Sequence, residues 1–196
     1  MPDAATLNIL NYFDFWAAVP LNEPATYESI AEKTNLPLEV VIRVLQHAIN
    51  LRIFSETNDK PAKVQHNSRS AALAKSPGLQ ALVSSILDDA GAPMLVMQEA
   101  LARYSSGKPE LTQNMDESSF SLLHKTGIYG SYDSSWQFIE NDGDGEKKGW
   151  RQRKFVEFMR YIKGLFHLEE IVLGAQDWVK AGKATVVDVS HAFTQI

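Results

Sequence analysis

The sequence predicts a mainly α-helical protein with a small β-wing after its first helices and one strand at its C-terminal end. Three observations predict it. Apolar residues recur at helical spacing through most of the chain up to Tyr104. Two short extended runs flank a polar turn with Asn58, Asp59 and Pro61, and the branched run Val186, Val187 and Val189 follows a turn near the end.

The elements follow in order. Leu7 to Val19 carries Leu7, Leu10, Phe13, Trp16 and Ala17 on one helical face, and Pro20 ends the run. Thr26, with Glu28 and Ser29 behind it, signals a second helix start; Asn35, ahead of Pro37 and Glu39, signals a third. The third helix places Val40, Val41, Val44, Leu45 and Ala48 along one side, with Arg43, Gln46 and Asn50 along another, and ends near Asn50. The stretch "IFSETNDKPAKVQHN" then reads as two short strands around a turn. Three helices followed by a β-wing is the order of a winged helix, so residues 1–76 form a predicted winged-helix-like module.

Residues 77–183 form a predicted helical region. Gly78 to Tyr104 reads as one long helix that Gly91 and Pro93 kink or split, with Leu79, Leu82, Val83, Ile86, Leu87, Met94, Met97 and Leu101 on its apolar face. A loop over 105–119 precedes the loop-like stretch "FSLLHKTGIYGSYDSSW", an acidic glycine-bearing turn at 141–146, and more helix. Residues 184–196 hold the final strand.

Composition narrows the function. A chain of 196 residues with 44% hydrophobic content can bury a core. Nineteen basic against 24 acidic residues give a net charge of -5, without the basic excess of a nucleic-acid binder, so nucleic acid is not an expected partner. The absence of cysteine excludes disulfides, thiolate catalysis and cysteine-based metal sites. His47, His66, His124, His167 and His191 show no helical metal spacing, and "NDGDGE" lacks the closing Glu of a calcium loop, so no metal is expected. The start of the chain has no secretory pattern, and no apolar run approaches the ~18 residues of a membrane helix. A soluble cytoplasmic protein without a membrane partner is the expectation.

The chemistry-bearing stretch is the one around His124, dense in hydroxyls and aromatics: Ser121, Tyr129, Tyr132 and Trp136. Such a mixture suits a small aromatic or polyketide-like ligand, with imidazole as acid or base near neutral pH. A hydrogen-bonded structural histidine is the plainer reading. Asp88 and Asp89 precede the expected kink, where one carboxylate faces either a cleft or solvent. Met94, Met97 and Met159 suit an adaptable apolar pocket, or ordinary core.

Taken together, "VPLNEPATYESIAEKTNLPLEVVIRVLQHAINLRIFSE", "HNSRSAALAKSPGLQALV", "FSLLHKTGIYGSYDSSW", "RKFVEFMRYI" and "LGAQDWVKAGKATVVDV" resemble the fungal O-methyltransferases of secondary metabolism. These are S-adenosylmethionine (SAM)-dependent enzymes with an N-terminal winged-helix dimerisation region. The resemblance implies a homodimer, and it makes Val186 to Val189 the first strand of a Rossmann-like cofactor domain. Where that family has a glycine-rich turn, this sequence has Ser190, His191, Ala192 and Phe193, and the later strands are missing. The expectation is therefore a truncated, methyltransferase-like pseudoenzyme whose SAM site is lost, with no cofactor.

What the resemblance leaves is a small-molecule pocket for cofactor-independent cyclisation, isomerisation or dehydration. Its expected acid, base or hydrogen-bonding groups are His124, Tyr132 and Asp88. Its expected lining is Met94, Met97, Phe120, Tyr129, Trp136, Phe158 and Tyr161. Two alternatives stand beside it: a non-catalytic partner or co-activator of another biosynthetic or regulatory protein, and one half of a split O-methyltransferase.

Overall fold

The structure, a computed structural model, describes residues 2–125, 130–132 and 134–183. Tyr129 and the expected strand at 186–189 lie outside the described residues. Contacts divide the chain into one compact unit through Tyr161 and a second from Ile162 onward.

The first unit opens with α1 (Pro2–Tyr12) and the short α2 (Phe15–Ala18), where periodicity predicts one continuous helix. The break is made by Asp14. Its backbone is left-handed, with φ of 50°, and its carboxylate accepts from the Ala17 amide, so it caps a new helix instead of continuing the old one. The turn lets Phe15 and Trp16 enter the core together, both essentially inaccessible to solvent.

Helices α3 (Tyr27–Thr34) and α4 (Leu38–Asn50) follow as predicted, α3 capped by Thr26. Asn35 acts at the other end from the one expected: in a left-handed conformation it closes α3, and Pro37 precedes α4. Strands β1 (Phe54–Glu56) and β2 (Val64–His66) form an antiparallel hairpin in the register Phe54 opposite His66. Val64 also bridges to Ala25, which ties the hairpin to the segment before α3.

The core of this part joins Leu10, Trp16, Ile30, Val41, Leu45, Phe54, Val64 and Leu73. Trp16 stacks on Phe54 at 5.6 Å, and its indole N–H donates to Asn11 Oδ1 at 3.0 Å. Leu79 and Val83 pack onto the same core, so packing continues across the predicted join at 76/77. Helix α5 (Ser68–Lys75) starts on a capping box made by Asn67 and Ser70.

Helix α6 (Pro77–Ser84) runs into a π-helical turn over Ser85–Ala90 and then α7 (Gly91–Met94); α8 (Met97–Tyr104) follows after a break at 95–96. The predicted interruption is therefore spread over two places. Pro93 has no N–H for the Asp89 carbonyl, and the wider π-helical turn lies immediately before it. After a loop come α9 (Ser119–Lys125), α10 (Ser135–Asn141) and α11 (Trp150–Leu165). Where α11 passes α6, a Cβ on Gly78 would stand 2.6 Å from the Tyr161 Cβ, so the missing side chain permits the approach.

The second unit carries the end of α11, then α12 (Leu168–Gly174) and α13 (Trp178–Ala181). Trp178 Nε1 donates to the Val172 carbonyl at 3.1 Å, while Ile171, Leu173 and Val179 stay exposed. Among the described residues no helix is long and apolar enough to cross a membrane, and no group of three His, Cys, Asp or Glu could hold a metal.

Candidate functional site

A cluster of buried and half-buried polar groups surrounds the π-helical turn. Arg151, from the first turn of α11, donates from Nη1 to Asp89 Oδ1 at 3.0 Å and from Nε to Asp142 Oδ2 at 2.6 Å. Trp150 Nε1 adds a 3.1 Å bond to the same Asp142 oxygen. The guanidinium carbon sits 4.6 Å from the Phe138 ring centroid and 4.4 Å from that of Trp150. A buried cation is thus held by two carboxylates and two aromatic rings. Burial raises the Asp89 carboxyl above the usual carboxylate range, against the opposing pull of Arg151.

On the other side of the turn, Asn8 Nδ2 donates to Asp88 Oδ1 at 2.8 Å. Ser84 Oγ accepts from Asn11 Nδ2 at 2.8 Å and from Lys154 Nζ at 3.0 Å. Helix α1 and helix α11 therefore both anchor the residues that enter the π-helical turn. Such turns interrupt α-helices frequently at functional sites.

Next to Arg151 lies an aromatic group built on Phe138. His124 stacks on Phe138 with ring centroids 4.0 Å apart, Tyr132 meets Phe138 edge-on at 5.3 Å, and Phe120 meets His124 edge-on at 5.0 Å. His124 belongs to helix α9 and not to a loop as expected: Phe120 and His124, four residues apart, meet on one helical face, and His124 carries that face onto Phe138. Its side chain is enclosed at 2% exposure. Burial first, then the Arg151 charge, lower its pKa below the ordinary histidine value, with Asp142 acting weakly the other way. The imidazole is accordingly neutral near pH 7, a state in which it can both donate and accept.

The structure thus brings together three predicted residues, Phe120, His124 and Tyr132. Asp88 is not among them: it lies on the π-helical turn and accepts from Asn8. Met94 and Met97 are exposed, at 62% and 46%, and Trp136 is exposed at 54%. These three stand on open surface, because α7, α8 and α10 turn Met94, Met97 and Trp136 outward; they form no enclosed lining among the described residues. Phe158 and Tyr161 are half-buried on α11, with Tyr161 taken up by the contact with Gly78.

Sequence reasoning missed Arg151, Asp142, Lys154 and Asn8. One signal was present for two of them: Arg151, Lys154, Phe158 and Tyr161 recur every three or four residues, placing two cations on the stripe of α11 that faces inward. Charged residues on an otherwise aromatic stripe mark buried polar contacts.

No family model matches the chain. It is 42% identical over 192 residues to the O-methyltransferase lcsG of Purpureocillium lilacinum, covering 96% of this chain and 41% of that protein. It is 26% identical over 186 residues to the Dothistromin biosynthesis regulatory protein aflJ of Dothistroma septosporum, covering 94% of this chain and 37% of that protein. The chain therefore spans about two-fifths of the length of these relatives. Among solved structures, one described as "A Pericyclic Reaction enzyme" and one of LepI in complex with SAM each share a TM-score of 0.56 at 15% identity, over 80% of this chain and 36% of theirs.

These findings correct the expectation of a lost cofactor site. A protein of the same fold holds SAM, another structure of it holds SAH, and the relative that is 42% identical over 96% of this chain is an O-methyltransferase. Ser190 to Phe193, which stand where that family has its glycine-rich turn, lie outside the described residues. The described residues are the helical and hairpin-bearing part of the fold, and no role toward the cofactor is assigned to them.

Proposed function

Because the chain is a homologue of the fungal O-methyltransferases of secondary metabolism, we propose that it supplies the substrate-recognition side of such a protein. The group formed by Phe120, His124, Tyr132 and Phe138 receives a small aromatic or polyketide-like molecule. The single observation that carries this is the convergence of His124 and Tyr132 on one ring, Phe138, beside a fixed guanidinium. A ligand enters at the half-buried Phe120 and Tyr132, where stacking and edge contacts suit a planar molecule.

The chemistry of this reading is rearrangement: cyclisation, isomerisation or dehydration, with neutral His124 passing a proton and Tyr132 orienting the substrate by its hydroxyl. Desolvation and positioning by the aromatic walls supply the rest. The likeness of fold to a pericyclic reaction enzyme supports it. Helices α1 to α4 with the hairpin act as a winged-helix dimerisation module, for which exposed Phe13, Leu38 and Val40 offer apolar surface.

The test is saturable binding and turnover of an aromatic polyketide intermediate by wild type, His124→Ala and Tyr132→Phe. A loss of turnover of about 10²-fold or more in His124→Ala is expected; unchanged turnover in both variants sinks the assignment. A second reading is favoured by the relative named as a regulatory protein, which aligns with nearly the whole chain. In it the exposed run Ile86, Met94, Leu95, Met97 and Leu101 docks another pathway protein. A stoichiometric complex with such a protein, together with no small-molecule binding, decides for it.

A further inference from the structure

One buried titratable group has no part in that reading. Lys154 is half-buried on α11, and its Nζ donates to a neutral acceptor, Ser84 Oγ, at 3.0 Å. Asn11 Nδ2 fixes the same hydroxyl oxygen from α1 at 2.8 Å, so the amine is held in place from two helices. The carboxylates around it are engaged elsewhere. Asp88 accepts from Asn8, Asp89 is taken by Arg151, and Asp14 caps α2. Among the described residues no carboxylate forms an ion pair with Lys154, although three stand near enough to act on its charge.

The amine also has an aromatic approach. Nζ lies 5.3 Å from the Trp150 ring centroid, and Trp150 meets Tyr12, 58% exposed, edge-on at 6.2 Å. Trp150 and Tyr12 form a shelf that reaches from solvent to the half-buried nitrogen. A lysine amine withdrawn from water near a second cation, here Arg151, is the kind that condenses with carbonyl compounds.

We propose that Lys154 is a carbonyl-reactive lysine, whose amine condenses with the aldehyde or ketone of a small aromatic molecule resting on Trp150 and Tyr12 to form an imine. The nitrogen lone pair attacks the carbonyl carbon, and the C=O π pair moves to oxygen. One proton passes from nitrogen to that oxygen, and the Ser84 hydroxyl, in contact with Nζ, is placed to carry it. The carbinolamine then loses its hydroxyl with the second nitrogen proton as water, leaving C=N. One water leaves and nothing is oxidised or reduced.

Charge around the nitrogen supports the neutral amine that this step needs. Burial is the largest influence and lowers the Lys154 pKa; Arg151, on the same helix, lowers it further. Asp88 and Asp89 from the π-helical turn, and Asp14 from the start of α2, act in the opposite direction and are outweighed.

The site shares no residue with the His124 group, and its test reads the chain itself, so it stands or falls separately from the proposed function. The full chain is incubated with 4-hydroxybenzaldehyde and sodium cyanoborohydride near neutral pH, and labelled lysines are located by peptide mass spectrometry. Lys154 is expected to be labelled about ten-fold faster than exposed Lys108, a margin that shrinks toward about pH 10, where amines in general lose their proton. Lys154→Arg keeps a donor for Ser84 and removes the fast label. Ser84→Ala keeps the amine and slows labelling several-fold. Equal rates at Lys154 and Lys108, or a fast label that persists elsewhere in Lys154→Arg, overturns the proposal.

Discussion

Two interiors within the first unit are built on opposite principles. Around Trp16, the core is a continuous apolar mass contributed by α1 to α5 and the hairpin, with one indole N–H satisfied by Asn11. Around Arg151, the interior is held by directed contacts: two carboxylates, two aromatic rings and a histidine stack, drawn from α9, α10, α11, the π-helical turn and the residue after α10. The first kind of interior is non-directional and tolerates local adjustment, in proportion to the area it buries. The second depends on each partner, because removing one leaves a charge without its counter-charge in a place that water reaches poorly.

The largest effect tests the first interior. Trp16→Ala removes the side chain that stacks on Phe54 and the donor to Asn11, and is expected to cost about 3–5 kcal/mol in urea unfolding. The loss should be nearly independent of pH and salt. A loss that varied strongly with pH would mean the two interiors are not separable in the way drawn here.

Arg151→Leu is the corresponding cut in the second interior, with an expected cost of about 3 kcal/mol, because Asp89 and Asp142 are then left facing one another across an apolar side chain. The sharper measurement is recovery. Adding Asp89→Asn and Asp142→Asn to Arg151→Leu should restore more than half of the loss, since no net charge then remains buried among the three. A triple variant no better than Arg151→Leu alone would show that packing against Phe138 and Trp150, and not charge balance, dominates at this residue.

The same contrast decides what could be read in the sequence. Helices α3 and α4 and the hairpin were legible because their signals are local: Thr26 as a cap, a valine stripe at helical spacing, Asn58, Asp59 and Pro61 in one turn. The break at Asp14 was not, because an aspartate at the middle of an apolar stripe reads as a solvated position until Phe15 and Trp16 are both required inside. The pairing of Arg151 with Asp89 spans 62 residues, and no spacing rule reaches that far. His124 and Tyr132 were legible as a chemically mixed stretch, but their shared partner Phe138 was not, because it lies on α10, while His124 is on α9 and Tyr132 is in the connection before α10. Met94 and Met97 show the limit of periodicity: a helical apolar stripe says that one face is distinct without saying that this chain covers it.

A smaller effect belongs at the seam where α6 passes α11. Gly78→Ala puts a methyl 2.6 Å from the Tyr161 Cβ, backbone-fixed on both sides, and overpacking of this kind costs about 1–3 kcal/mol. The double variant Gly78→Ala with Tyr161→Gly, which removes the Cβ as well as the ring, should be more stable than the sum of the two single losses predicts, since the clash is with that one side chain. Additive losses would place the strain in the path of α6 itself.

The smallest effect is the one that ties the directed interior to pH. Burial and the Arg151 charge hold the folded-state pKa of His124 below the ordinary 6.5. The unfolded chain therefore takes up this proton more readily than the folded one, and the unfolded state binds more protons wherever pH falls between the two values. The contribution is complete above the unfolded value and is lost as pH drops below it toward the folded one, so stability must fall on acidification. Asp89 works in the other direction, because its raised carboxyl pKa makes the folded state the better proton acceptor above the ordinary 3.8. Comparing wild type with His124→Phe, which keeps a ring against Phe138 and cannot titrate, isolates the histidine: the wild type should lose more stability than the variant between pH 7.5 and pH 5.5. Arg151→Gln should shrink that difference by removing the cation that helps keep the imidazole neutral. If His124→Phe and wild type fall in parallel, the imidazole takes up its proton equally in both states, and the enclosed histidine stack is not the acid-sensitive member of this interior.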